Sequence, residues 1–122
     1  MLALAAAPLG VKTLVVDSAP DACAGQVALL RLADWTDYAA LEKFAADVDV
    51  VTFDFENVPA ETAHWLAERV AVFPDPRALA VAQDRLAEKT LFRECGLNTP
   101  AFEAVDTRAD LDRALAKIGA PA

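Results

Sequence analysis

Val48-Asp49-Val50-Val51-Thr52-Phe53-Asp54-Phe55-Glu56-Asn57-Val58-Pro59 opens as an almost unbroken β-favouring run and closes on a turn and a proline. Val48, Val50, Val51, Phe53 and Phe55 suit a pleated, buried surface, so residues 48–55 are expected to form the clearest strand of the chain. Pro59 suits the first position of a following helix, which carries Ala63, Leu66 and Ala67 on one side. A strand leading directly into a helix is the unit of a parallel α/β sheet.

The same alternation extends in both directions. Upstream, Val11–Val16 reads as a buried strand closed by Asp17-Ser18-Ala19-Pro20, and Val27–Leu32 reads as a second one. Thr36–Val48 has helical spacing in Tyr38, Leu41, Phe44 and Ala45, with Asp34 or Thr36 as the N-cap. Residues 1–9 form a short Ala-rich helix that stops at Gly10. Downstream, Ala71–Phe73 is a small strand. A helical stretch then runs from Pro74-Asp75-Pro76 to Cys95, broken near Asp84 and ended by Gly96 and Pro100. Thr107–Ile118 is a final helix with a Thr107-x-x-Asp110 start. The fold class is therefore α/β, with a Rossmann-like parallel sheet. Such domains open with a strand and a Gly-rich turn, whereas this chain opens inside a helix, so the sheet is expected to lack its first strand. The end at Gly119-Ala120-Pro121-Ala122 likewise reads as a cut.

Composition narrows the function. At 122 residues the chain has room for one core. The 11 Lys and Arg stand against 19 Asp and Glu, a net charge of -8, which repels phosphate backbones and argues against nucleic-acid binding. Cys23 and Cys95 form no CxxC pair and His64 is the one histidine, so no zinc site is expected and the thiols read as reduced in a cytoplasmic protein. No stretch approaches the roughly 20 apolar residues needed to span a bilayer.

Two constellations carry chemistry. Glu56 and Asn57 stand beyond the carboxyl end of the best strand, where open parallel sheets collect their ligands. Strand alternation would place Asp54 and Glu56 on one side and Phe53 and Phe55 on the other. Paired carboxylates there could accept hydrogen bonds from ribose hydroxyls, orient an amine, or hold a metal with water; alternatively Glu56-Asn57 simply forms the turn before the helix. Further on, Arg85, Lys89 and Arg93 follow i, i+4, i+8 spacing, a cationic helix face in an acidic chain and a natural seat for phosphate. The ordinary alternative is a solvated face in which Arg85 pairs with Glu88. Asp17 reads better as closing its own turn than as a ribose-binding carboxylate. His64 is assigned no catalytic role, and Trp35, Trp65 and Tyr38 read as packing residues.

Together, Met1-Leu2-Ala3 through Pro8-Leu9-Gly10, the Thr52–Pro59 run, and Ala82-Gln83-Asp84-Arg85-Leu86-Ala87-Glu88-Lys89-Thr90-Leu91-Phe92 with Gly96-Leu97-Asn98-Thr99-Pro100 resemble the N-terminal region of the 5-(carboxyamino)imidazole ribonucleotide synthases, ATP-grasp ligases of purine biosynthesis. The resemblance implies a pre-ATP-grasp domain over residues 1–75, then linker helices and the start of the ATP-grasp domain over residues 76–122. It implies that Arg85 and, less specifically, Lys89 contact ATP, and that Glu56 with Asn57 lies beside aminoimidazole ribonucleotide. Bicarbonate would be the carboxyl source, the parent enzyme a homodimer, and the Mg2+ ligands would lie outside this chain. Phe53 and Asp54 stand where the family often has Tyr and Glu. The chain alone is expected to be catalytically silent and marginally stable. The rival readings are another ATP-grasp enzyme, such as a formate-dependent glycinamide ribonucleotide transformylase, and a non-catalytic α/β nucleotide-binding module.

Overall fold

Small residues open the chain as helix α1, Leu2–Ala6, which tightens into a 3-10 turn at Ala7–Leu9 and ends on Gly10 at φ 74°. That left-handed conformation is free of steric cost only for glycine, and it turns the chain toward strand β1. The computed structural model describes residues 1–120; residues 1–80 form one compact unit and the described residues from Val81 onward form a second. The expectation of a cut end at residues 119–122 reaches Pro121 and Ala122, which lie outside the described residues.

In the first unit, β1 (Leu14–Asp17) pairs in parallel with β2 (Leu29–Leu32), Leu14 opposite Leu29 and Asp17 opposite Leu32. Helix α2 (Tyr38–Ala46) follows, then β3 (Val50–Val51), α3 (Ala60–Ala67) and β4 (Ala71–Val72), with β3 parallel to β4. Parallel pairs joined through helices are what the alternating pattern requires. The sheet, however, is divided: among the described residues β1 and β3 share no ladder, and two two-stranded pairs stand where one continuous sheet would be.

Leu41, Phe44 and Ala45 of α2 meet Val51, Leu66 and Val72 in a single buried cluster, and Leu14 and Val16 of β1 pack against it. Both strand pairs thus share one core although they share no backbone bonds. Burying each large side chain here contributes about 1.5–3 kcal/mol, so the cluster is the main source of cohesion.

Several boundaries correct the sequence-based expectations. The run 48–55 supplies only two laddered residues, because its partner strand is only Ala71–Val72; Phe73 N–H extends the contact by donating to Val51 O at 2.9 Å. Beyond Val51 the chain bends at Asp54 and turns at Glu56-Asn57, so the alternation expected for residues 53–56 does not hold. Phe53 packs on the core while Phe55 is half exposed. The other strands are also shorter than expected, 14–17 instead of 11–16 and 29–32 instead of 27–32. Helix α2 is capped by Asp37, whose carboxylate accepts from Ala40 N–H at 3.0 Å, rather than by Asp34 or Thr36. Those two residues instead bond each other in the preceding turn. Pro59 is the N-cap of α3, one position before the expected one.

Helix α4 (Pro76–Ala82) leads to α5 (Arg85–Glu94), and α6 (Arg108–Ile118) completes the second unit. Asp84 interrupts the helical stretch as expected, its carboxylate accepting from Leu86 and Ala87 N–H. Gly96 at φ 71° ends α5, with Leu97 N–H donating back to Phe92 O at 2.8 Å. Thr107 and Asp110 form the expected reciprocal capping box on α6. Ala114 is the one buried residue of this unit among those described, so local bonds rather than a core hold it.

Candidate functional site

Glu56 and Asn57 occupy the turn that leaves β3 at its carboxyl end and enters α3. Both are exposed, so the turn reading of this segment describes its backbone, and the same turn presents the two side chains to solvent. Val58 N–H reaches back to Phe55 O at 3.5 Å, and Thr62 and Ala63 N–H donate to Pro59 O at 3.0 and 3.2 Å, closing the first turn of α3. Because β2 is parallel to β1 and β3 to β4, each pair gathers its strand-end loops at one edge, which is where ligands of such sheets bind.

Aromatic rings brace this part of the molecule. Trp35, in the turn after β2, lies 6.3 Å from the ring of Phe55, and Tyr38 lies 5.0 Å from Trp65. The Arg69 guanidinium sits 3.5 Å over the Trp65 ring while bonding Glu42 at 2.8 Å. These rings are engaged with protein partners, as packing residues are. Asp17 also behaves structurally: its carboxylate accepts from Ala19 N–H at 2.8 Å and closes the turn after β1. His64 is exposed on α3.

In the second unit, the cationic face of α5 resolves into two kinds of group. Arg85 is exposed and paired with Glu88, the ordinary alternative foreseen from spacing. Lys89 and Arg93 instead approach the face of Phe102, at 5.5 and 5.0 Å, and among the described residues no carboxylate pairs with either. A cation held on an aromatic face without a counter-ion keeps its donors for an external anion. Phe102 went unnoticed in the sequence because it follows Thr99-Pro100 outside any periodic pattern. A hollow of about 380 Å³, open to solvent and including Arg93, Asn98, Phe102 and Lys117 in its wall, lies beside it; Lys117 is neutralised there by Glu103. Among the described residues no group of His, Cys, Asp and Glu side chains assembles a metal site, and no helix is long and apolar enough to cross a membrane.

The likeness to known proteins is extensive. The family pattern of the ribonucleotide synthetase pre-ATP-grasp domain matches residues 1–83. The N5-carboxyaminoimidazole ribonucleotide synthase of Pseudomonas aeruginosa is 48% identical over 122 residues, all of this chain and 34% of that protein. The crystal structure of the N5-carboxyaminoimidazole ribonucleotide synthetase from Thermus thermophilus superposes with a TM-score of 0.93 at 47% identity, over 99% of this chain and 34% of that one. The Staphylococcus aureus N5-carboxyaminoimidazole synthetase complexed with ADP gives 0.88 at 31% identity, over 98% and 33%. The chain thus spans about a third of the length of these relatives. A matched pattern over most of the chain, which takes in the strand–turn–helix segment around Glu56, shows that the chain belongs to the ribonucleotide synthetase pre-ATP-grasp domain family.

Proposed function

We propose that this chain is the N-terminal part of a cytoplasmic ATP-dependent ligase that carboxylates aminoimidazole ribonucleotide with bicarbonate in purine biosynthesis. The observation that carries this reading is identity at the level of 48% along the whole chain with a protein named for the product of that reaction. Residues 1–75 serve as the pre-ATP-grasp domain, and residues 76–122 as linker helices and the start of the ATP-grasp domain. The parent enzyme works as a homodimer.

In this reading Glu56 and Asn57 hold the ribonucleotide. An exposed carboxylate and carboxamide at a strand end supply acceptors for ribose hydroxyls or an amine and a donor for a ring or phosphate oxygen. Arg85 and Lys89 hold ATP phosphates. For Lys89 the fit is direct, since its ammonium has no protein carboxylate to displace among the described residues; Arg85 would exchange Glu88 for phosphate. Mg2+, whose ligands would lie outside this chain, would supply neutralisation of the phosphate charge there.

The test uses the chain continued to the length of its relatives. ADP release should require ATP, bicarbonate and aminoimidazole ribonucleotide together. Turnover with formate and glycinamide ribonucleotide instead would assign the chain to the rival ATP-grasp reaction, and ATP binding without turnover of either substrate would favour a non-catalytic module.

A further inference from the structure

Thr62 is the most buried side chain described, 1% exposed, and the one polar residue in the buried set. It lies on the first turn of α3, six residues after Glu56. Its hydroxyl donates to the backbone carbonyl of Trp35 at 2.8 Å, across 27 residues of sequence. A hydroxyl taken fully out of water is retained without cost only when so bonded, and valine would fill the same space with no polar group. The bond ties α3 to the turn after β2, where Asp34 accepts from Thr36 N–H and its hydroxyl, so the backbone at Trp35 is fixed from both sides. The Trp35 ring in turn stands against Phe55, the residue immediately before Glu56-Asn57.

We propose that Thr62 is a positioning residue for the Glu56-Asn57 turn, acting through the Trp35 carbonyl and the Trp35–Phe55 ring contact to fix how those two side chains meet the ribonucleotide. This rests on the function proposed above. It accounts for a polar atom at the most buried position of the unit. It also accounts for a half-exposed Phe55 that faces an aromatic ring rather than the core. Displacing a binding side chain by a fraction of an ångström weakens the contacts it makes without removing it.

The test compares Thr62→Val with Thr62→Ser. In the chain continued to the relatives' length, Thr62→Val should raise KM for aminoimidazole ribonucleotide roughly 3- to 10-fold, the equivalent of one hydrogen bond. KM for ATP and kcat should stay within about twofold, and Thr62→Ser should restore the wild-type value. Equal shifts in both KM values, no shift, or no rescue by serine would overturn the proposal. In the same continued chain, Thr62→Val should move the amide resonances of Phe55 to Val58 and leave those of Leu14 to Asp17 in place. Resonances shifted throughout the unit, or nowhere, would also overturn it. If the loop shifts locally while the wild-type enzyme ignores aminoimidazole ribonucleotide, Thr62 sets the turn and the function assigned to that turn is wrong.

Discussion

The Asp84 carboxylate accepts from the backbone N–H of Ala87 at 3.0 Å and so starts the helix that presents Arg85, Lys89 and Arg93. It also accepts from Leu86 N–H at 2.9 Å, satisfying two of the donors that a helix start leaves without partners. The acidic residue that repels phosphate in the overall charge thus builds the element expected to receive it. No residue of α5 is buried, so the cap is a large share of what holds the helix. Asp84→Ala should cost about 1 kcal/mol and reduce helicity in the second unit, whereas Asp84→Asn, an equally good cap, should cost much less. Circular dichroism with urea titration reads both, and equal losses would show that charge rather than capping matters.

Helix α6 gives a pH-dependent counterpart. The Thr107 hydroxyl and then the Thr107 backbone N–H hold Asp110 below its ordinary value of 3.8, with smaller help from the Asp106 N–H and Arg113. A carboxylate depressed in the folded state adds stability above its unfolded pKa, and that stability is lost as pH falls through the lower folded value. Helicity of α6 should therefore hold down to the ordinary carboxylate range and fall below it. In Asp110→Asn this acid step should shrink. A titration of the Asp110 carboxyl by NMR that centres above 3.8 would contradict the capping account.

The divided sheet bears on stability. Two-stranded pairs are weak alone, and each pair here leaves an edge without a ladder while both lean on one small cluster. The 122-residue chain should unfold at low urea concentration or aggregate, and Leu41→Ala should abolish folding, since such a truncation costs about 2–5 kcal/mol. A cooperative urea transition of ordinary size, roughly 5–15 kcal/mol, would show that the shared core compensates for the split.

How much of this was legible in the sequence depends on whether the cause is local. Asp84, Gly96, Thr107 and Asp110 fix helix ends through bonds to near neighbours, and all four were readable. Strand length was not, because Val48–Phe55 has β-favouring residues throughout but only Ala71–Val72 to pair with. The wrong cap on α2 arose because Asp34, Thr36 and Asp37 are all good caps, and only the turn geometry chooses among them. Glu56 and Asn57 do lie in the loop that leaves the strand's carboxyl end, because that position does not depend on how long the strand is. Thr62 carried no signal at all, since its partner lies 27 residues away.

Catalytic silence of the chain alone is a separate expectation. The chain spans about a third of the length of the relatives it matches, and phosphoryl transfer needs both a metal ion and clamped phosphates held together. The 122-residue chain should release no ADP above background with ATP, bicarbonate and aminoimidazole ribonucleotide, while the continued chain does. ADP release by the short chain would place catalytic groups within it.

The central claim is that Glu56 and Arg85 serve one reaction, the first touching the ribonucleotide and the second the ATP phosphates. The direct measurement is a crystal structure of the chain continued to its relatives' length, with ADP and aminoimidazole ribonucleotide bound. The account predicts the Arg85 guanidinium on a phosphate of ADP and the Glu56 carboxylate on the ribonucleotide. Either side chain away from its ligand would contradict it.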